Sequence, residues 1–185
     1  MAMAESFAGK LLLAAPELVD PNFFRTVLLV VEHDDVEGAL GVVLNRPSDA
    51  PVAEYLRDWA AVMPASSVVH VGGPVAPEVA VGVVESPLLP PATWDPVMGT
   101  VGLVDLGEPP DFYGGVIRAR VFSGYAGWVP GQLEAELLVR SWLVLDGHPD
   151  DVFGDNTEDL WRDVLRRQSG PVAWYADFPA DPSAN

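Results

Sequence analysis

Three histidines, His33, His70 and His148, are the side chains of this sequence best suited to exchanging a proton near neutral pH. Glu32-His33 lies at the end of an apolar run and can form half of an acid–base pair or part of a metal site, with Asn45-Arg46 supplying a polar group and a positive charge. None of the three stands in the H-x-x-x-H or H-x-x-E-H spacing of a helical zinc site, so no metal is expected. For His33 a hydrogen-bonded structural role is the better reading. His70 alternates within an apolar strand pattern and reads as a satisfied histidine of the core or a sheet face. His148 follows Asp146-Gly147 and reads as turn chemistry.

Other chemistry is narrowed by omission. The chain has no cysteine, which removes disulfides, thiolate zinc, iron–sulfur clusters and a cysteine nucleophile together. Ser123 precedes Gly124, but Val121 stands where a G-x-S-x-G elbow needs glycine, so Ser123 reads as a strand-end hydroxyl. Lys10 is the sole lysine, and no phosphate-loop spacing surrounds it; Gly99 and Gly102 are too isolated for a dinucleotide fingerprint. Residues 146–163 carry seven acids, yet no glycine occupies the turn position of a calcium loop and a proline interrupts it. No cofactor is expected.

One aromatic residue invites a binding role. Trp128 sits between Gly127 and Pro130-Gly131, so its ring either locks a corner onto the sheet or walls a pocket. In the second case Gln132, at a helix start with free backbone N–H groups, is the polar handle, and Arg46 adds a complementary charge. The turn at Gly72-Gly73 permits positive φ or close backbone approach. His33, Asn45, Arg46, Gly72, Gly73, Trp128 and Gln132 thus form the candidate surface.

These residues need elements to position them. Strands are expected over Gly9–Ala15, Arg25–His33, Gly38–Asn45, Val68–Val71, Val79–Val84, Thr100–Val104, Val116–Phe122 and Trp142–Leu145. Arg25–His33 is continuously apolar and should be covered on both faces. Pro51 can open an amphipathic helix to about Ala61, on the spacing of Val52, Tyr55, Leu56 and Trp59. A second helix begins near Gln132, and a third runs from Thr157 to Gln168, capped by Asn156. Four prolines make residues 86–98 a loop, and residues 175–185 read as a loose tail. Strands outnumber helices and tight turns join several of them. An α+β fold follows, a single domain over 1–185 with its core at about 9–168: a large mixed, mostly antiparallel sheet flanked by a few short helices.

Ten basic residues against 27 acidic ones give a formal charge of −17. Direct nucleic-acid binding is disfavoured, because phosphate contacts draw on Lys and Arg, and here the only basic groupings are Arg118/Arg120 and Arg162/Arg166/Arg167. No apolar run approaches the ~20 residues of a membrane span, and the N-terminus lacks a basic head, so the expectation is a cytoplasmic protein without a membrane anchor.

Six segments together resemble the YqgE/AlgH family: Gly9–Ala14, Asp20–Phe24, Glu32-His33, Gly38–Pro47, Gly72–Val75 and Gly127–Leu133, in that order and spacing. The resemblance covers roughly Gly9 to Arg167. It implies a bacterial cytosolic protein with a large mixed sheet and no established activity, a regulatory role being attached to part of the family's name. After the Gly72–Val75 motif many members carry an arginine, glycine and phenylalanine followed by a histidine, where this chain has Val79–Val84. Any site built on that arginine or histidine is missing here. With no complete catalytic constellation, the favoured function is a non-enzymatic binding or regulatory domain for a protein or small-molecule partner, compatible with a monomer. The alternative is a hydrolase-like enzyme using Glu32 and His33 near Asn45 and Arg46.

Overall fold

The computed structural model of the chain describes residues 6–87 and 95–179. Its centre is a run of three antiparallel neighbours, β1 (Lys10–Ala14), β2 (Val27–Asp34) and β3 (Gly38–Val43). The apolar continuity of β1 and β2 is used on both sides. Leu11, Leu13, Val27, Leu29 and Val31 face one cluster, while Leu12, Ala14, Leu28 and Val30 face another. The first cluster is closed by Trp161, Val164 and Leu165 of helix α5 (Leu160–Arg166), where Trp161 Nε1 donates to Ala14 O at 2.9 Å. The second is closed by Trp128, Trp142 and Leu133 of helix α3 (Gln132–Leu138).

One long strand joins the halves of the sheet. β9 (Arg118–Trp128) pairs with β3 through Ala126–Trp128 and, parallel, with β5 (Val68–Val71) through Phe122-Ser123. Its other edge pairs antiparallel with β6 (Val75–Glu85), followed by β8 (Val101–Val104) and β7 (Asp95–Met98); β10 (Trp142–Asp146) flanks β1, and β4 (Pro47–Pro51) flanks β5. Among the described residues the result is a ten-stranded sheet, antiparallel except at β5–β9. It curls until β7 meets β1: a Cβ on Gly9 would stand 2.6 Å from Val97 O.

Passing from β5 to β6, the chain crosses β9 at Gly72-Gly73. A Cβ on Gly72 would lie 2.3 Å from Gly124 O, and one on Gly73 would lie 2.2 Å from the Tyr125 carbonyl carbon. Gly124 has φ +69, and a Cβ there would stand 2.7 Å from Gly73 O. Two backbones touch, and only glycine permits it. Gly72 N–H donates to Ser123 O (2.9 Å) and its carbonyl accepts from Val43 N–H (2.8 Å), so the crossing also ties β9 to β3.

Several local expectations change. The strand expected over Val116–Phe122 starts at Arg118 and does not stop at Phe122 but runs through Trp128, because its C-terminal residues find β3 to pair with; the corner shrinks to Val129–Gly131. The first helix breaks at Leu56 (φ −135, ψ 73) into α1 (Val52–Tyr55) and α2 (Arg57–Ala60), leaving Tyr55 exposed. Within the proline-rich 86–98 stretch, β7 forms because Pro96 sits at a register shift of an edge strand, where no ladder donor is needed; residues 88–94 of that expected loop lie outside the described residues. The third helix starts at Leu160 rather than Thr157. Asn156 does not cap it, donating instead to Asp163 at 2.8 Å. An additional helix, α4 (Pro149–Phe153), forms in the acidic stretch. The expected tail packs at its start: α6 (Pro171–Trp174) leads into a 3-10 turn at Tyr175–Asp177 with Ala176 buried, and residues 180–185 lie outside the described residues.

Gly73→Ala should lose more than about 3 kcal/mol in urea denaturation or fail to fold, since backbone atoms occupy the methyl's place. Gly131→Ala, with φ +78 but open space around it, should lose only about 1 kcal/mol. Equal losses would contradict the crossing.

Candidate functional site

The residues singled out from the sequence fall into two groups: His33, Trp128 and Gln132 gather about the start of α3, and Asn45, Arg46, Gly72 and Gly73 lie where β3 and β5 meet. His33 is tied at both ring nitrogens: Phe7 N–H donates to Nδ1 (3.1 Å), and Nε2 stands 2.7 Å from Glu134 Oε1 on α3. With Nδ1 accepting, Nε2 carries the proton and donates. Glu134 is held below the usual carboxylate range, first by a backbone N–H and then by His33. Asn45 extends the pairing of β2, its Oδ1 accepting from Val27 N–H (2.9 Å) and its Nδ2 donating to Arg25 O (2.9 Å). Arg46 reaches Phe24 O at 3.4 Å. His33 pairs with Ala39 at the turn end of the β2–β3 hairpin, and Arg46 lies seven residues further on, about 20 Å away at ~3.3 Å per residue. The acid–base arrangement of Glu32 and His33 with Asn45 and Arg46 therefore does not assemble.

Trp128 and Gln132 do meet, but through an acid that the sequence reading passed over. Glu136 Oε2 accepts from both Trp128 Nε1 (3.0 Å) and Trp142 Nε1 (2.8 Å), while its Oε1 accepts from Gln132 Nε2 (3.0 Å). Gln132 Oε1 in turn accepts from Val129 N–H at 3.1 Å. The two indoles stand edge to face, 6.1 Å apart. Trp128 is an anchor here: its ring lies over Gly41, and its N–H is satisfied.

The open polar site lies elsewhere, on the β5 side of β9. His70 and Arg120 are 6% and 8% exposed, yet His70 Nε2 and Arg120 Nη1 find no hydrogen-bond partner among the described residues. Both line one cavity of about 420 Å³ whose walls include Pro47, Ser67, Phe153 and Asp155. The register explains their meeting. His70 pairs with Phe122, and Arg120 is two residues earlier on β9, hence on the same face as Phe122, against whose ring His70 stands edge-on at 5.9 Å. Arg120 is fixed by Nη2, which donates to Gly154 O at 2.9 Å. The neighbouring Arg118 is already engaged, by Glu85 at 2.6 Å and Asp150 at 2.7 Å. His70, expected to be satisfied, is buried but half-partnered.

Burial, then the charge of Arg120, lowers the His70 pKa to about 4. Neutral His70 can donate from Nδ1 to Val68 O (3.3 Å), which leaves Nε2 as a buried acceptor without a donor. Burial also lowers Arg120, to about 10, with Asp155 acting in the opposite direction. Arg120 thus remains charged at neutral pH. The site offers one fixed cationic donor and one neutral acceptor. A base with a pKa near 4 has little drive to take a proton at pH 7, so this pair suits binding better than acid–base catalysis.

The acids of 146–163 are largely used as ion-pair partners: Asp146 with Lys10 at 2.7 Å, Asp150 with Arg118, and buried Asp151 with Arg167. Among the described residues no group of three His, Asp or Glu stands close enough to hold a metal ion, and no helix is long and apolar enough to cross a membrane.

A family model described as AlgH-like matches residues 11–173. A UPF0301 protein of Streptomyces coelicolor is 47% identical over 191 residues, covering 100% of this chain and 98% of its own length. One of Thermobifida fusca is 42% identical, covering 97% of this chain and 96% of its own. Among solved structures, a crystal structure of a Corynebacterium diphtheriae protein superposes with a TM-score of 0.87 at 31% identity, over 96% of this chain and 95% of that one. The solution structure of the AlgH protein from Pseudomonas aeruginosa superposes with a TM-score of 0.61 at 30% identity, over 83% and 85%.

Two measurements probe these groups. Glu136→Ala leaves two indole N–H groups without an acceptor and should lose about 2–4 kcal/mol in urea denaturation; a loss below about 1 kcal/mol would mean the network carries little. His70 binds a proton more readily in the unfolded chain, whose pKa is about 6.5, than in the folded one, at about 4. Its contribution is therefore complete above pH 6.5 and is lost as pH falls toward 4, by at most about 3 kcal/mol. His70→Gln should flatten the stability–pH curve between those values, and an unchanged slope would place the acid sensitivity elsewhere.

Proposed function

The chain belongs to the AlgH-like family, and from that premise we propose that it is a cytosolic, non-enzymatic binding domain acting in regulation, with the His70–Arg120 cavity as its ligand site. The observation that carries this reading is the pair of buried polar atoms, His70 Nε2 and Arg120 Nη1, which find no hydrogen-bond partner among the described residues and belong to two side chains lining one cavity. Leaving one edge of a buried guanidinium without an acceptor is unfavourable, and a strongly perturbed ionisable group in a cleft marks a candidate functional site. The polar residues of the cavity converge between walls supplied by Pro47, Val62, Met63, Ile117 and Phe153, the composition expected of a small-molecule site.

The non-enzymatic part rests on the separation of His33 from Arg46 and on the low basicity of His70. The charge of −17 argues against direct binding of nucleic acid, and regulation would then run through a ligand or a protein partner. What supports the cytosolic part is the cysteine-free composition, which suits a reducing compartment.

A library of small organic molecules titrated into labelled protein, with backbone and histidine resonances recorded, tests the site. Shifts should cluster at Ser67, His70 and Arg120 and should vanish in Arg120→Met. The same variant should keep or raise the Tm, because an unpaired buried charge is replaced by an apolar side chain. Shifts clustering at Trp128 and Gln132, or an Arg120→Met protein that melts more than about 5 °C lower, would contradict the assignment.

A further inference from the structure

We propose that the His70–Arg120 cavity takes a small hydroxy acid with an apolar body, its carboxylate on Arg120 Nη1 and its hydroxyl donating to His70 Nε2. This rests on the reading of the cavity as the ligand site and names the ligand class.

One edge of the Arg120 guanidinium is held by Gly154 O, which fixes the group, and its Nη1, on a side chain that lines the cavity, has no acceptor among the described residues. A planar cation with N–H groups left over is matched by a carboxylate. A phosphate dianion is a poorer match. It calls for more than one cationic donor, and Arg118 is already taken by Glu85 and Asp150. Asp155 also stands on the cavity wall, in a chain carrying −17, and both disfavour a second negative charge.

His70 selects what lies beside the carboxylate. The charged groups facing it are Arg120 and Arg118 from β9 and Asp155 from the loop after α4. Residues 62–68 contribute hydroxyls, Ser66 and Ser67, and β4 contributes Pro47. With Nδ1 turned to Val68 O, Nε2 is an acceptor that asks for a donor. A ligand ammonium would sit beside a buried guanidinium and be repelled, whereas a hydroxyl satisfies Nε2 at no charge cost. The rest of the cavity, about 420 Å³, is walled by Val62, Met63, Pro64, Ile117 and Phe153, which suits an apolar ligand body.

Mandelate, its deoxy counterpart phenylacetate, its amino counterpart phenylglycine and inorganic phosphate, titrated at pH 7 against the full chain with the His70 ring resonances observed, test the proposal. Mandelate should bind at least tenfold more tightly than each of the other three, because only it pairs both buried groups. His70 should stay neutral when mandelate binds. His70→Phe should abolish the preference for mandelate over phenylacetate, and Arg120→Met should weaken mandelate at least tenfold. Arg120→Lys, which keeps the charge but not the fork, should lie between.

Equal binding of mandelate and phenylacetate, tighter binding of phenylglycine or phosphate, or protonation of His70 on binding would each overturn the hydroxy-acid assignment. If neutral or cationic molecules shift Ser67 and His70 while none of the four probes does, this inference fails and the cavity remains a ligand site. If no molecule of any charge shifts those residues, both fail.

Discussion

The contact between Gly72-Gly73 and the backbone of β9 at Gly124-Tyr125 is the constraint on which the remaining architecture depends. It lets the chain leave β5 on one edge of β9 and enter β6 on the other, so β9 gains partners on both sides. Had a side chain stood at any of these glycines, the two backbones would be held apart by more than the reach of the Gly72-to-Ser123 hydrogen bond. The crossing also sets the single parallel pairing of the sheet, and with it the register that brings His70 beside Phe122 and Arg120. Sheet closure and the candidate site share one cause.

Two polar arrangements on this frame have opposite character. Around Glu136, two indoles and an amide converge on one carboxylate and every group named is satisfied, as expected of a network that fixes a corner. Around His70 and Arg120, one nitrogen of each buried side chain is left without a partner beside a cavity. The first arrangement explains why a tryptophan flanked by glycines sits at the end of β9. The second leaves two buried polar groups of the folded chain without partners.

Much of the frame was legible in the sequence because the relevant signals are local. Continuous apolar runs marked β1 and β2 as doubly buried, turn composition marked the β2–β3 hairpin, and paired glycines at 72–73 signalled close backbone approach. What escaped depends on distant partners. β9 looked finished at Phe122 because nothing in Gly124–Trp128 announces that β3 lies alongside. β7 was hidden among prolines that an edge strand tolerates. Leu56 breaks the first helix, although its apolar spacing fits a continuous one. For the site, His70 shows how far a local signal reaches. Alternation revealed that it is buried but could not reveal that one nitrogen lacks a partner. Arg118 and Arg120 looked alike as neighbouring strand arginines, and only the tertiary fold separates the one tied by two acids from the one left facing a cavity.

A carboxylate site on Arg120 Nη1 is tested by a high-resolution crystal structure of the chain grown with mandelate. Such a site puts the carboxylate within hydrogen-bond distance of Arg120 Nη1 and the hydroxyl within the same range of His70 Nε2, with Asp155 at the wall. An Asp155 carboxylate folded onto Arg120 Nη1, leaving no room for the acid, would contradict it.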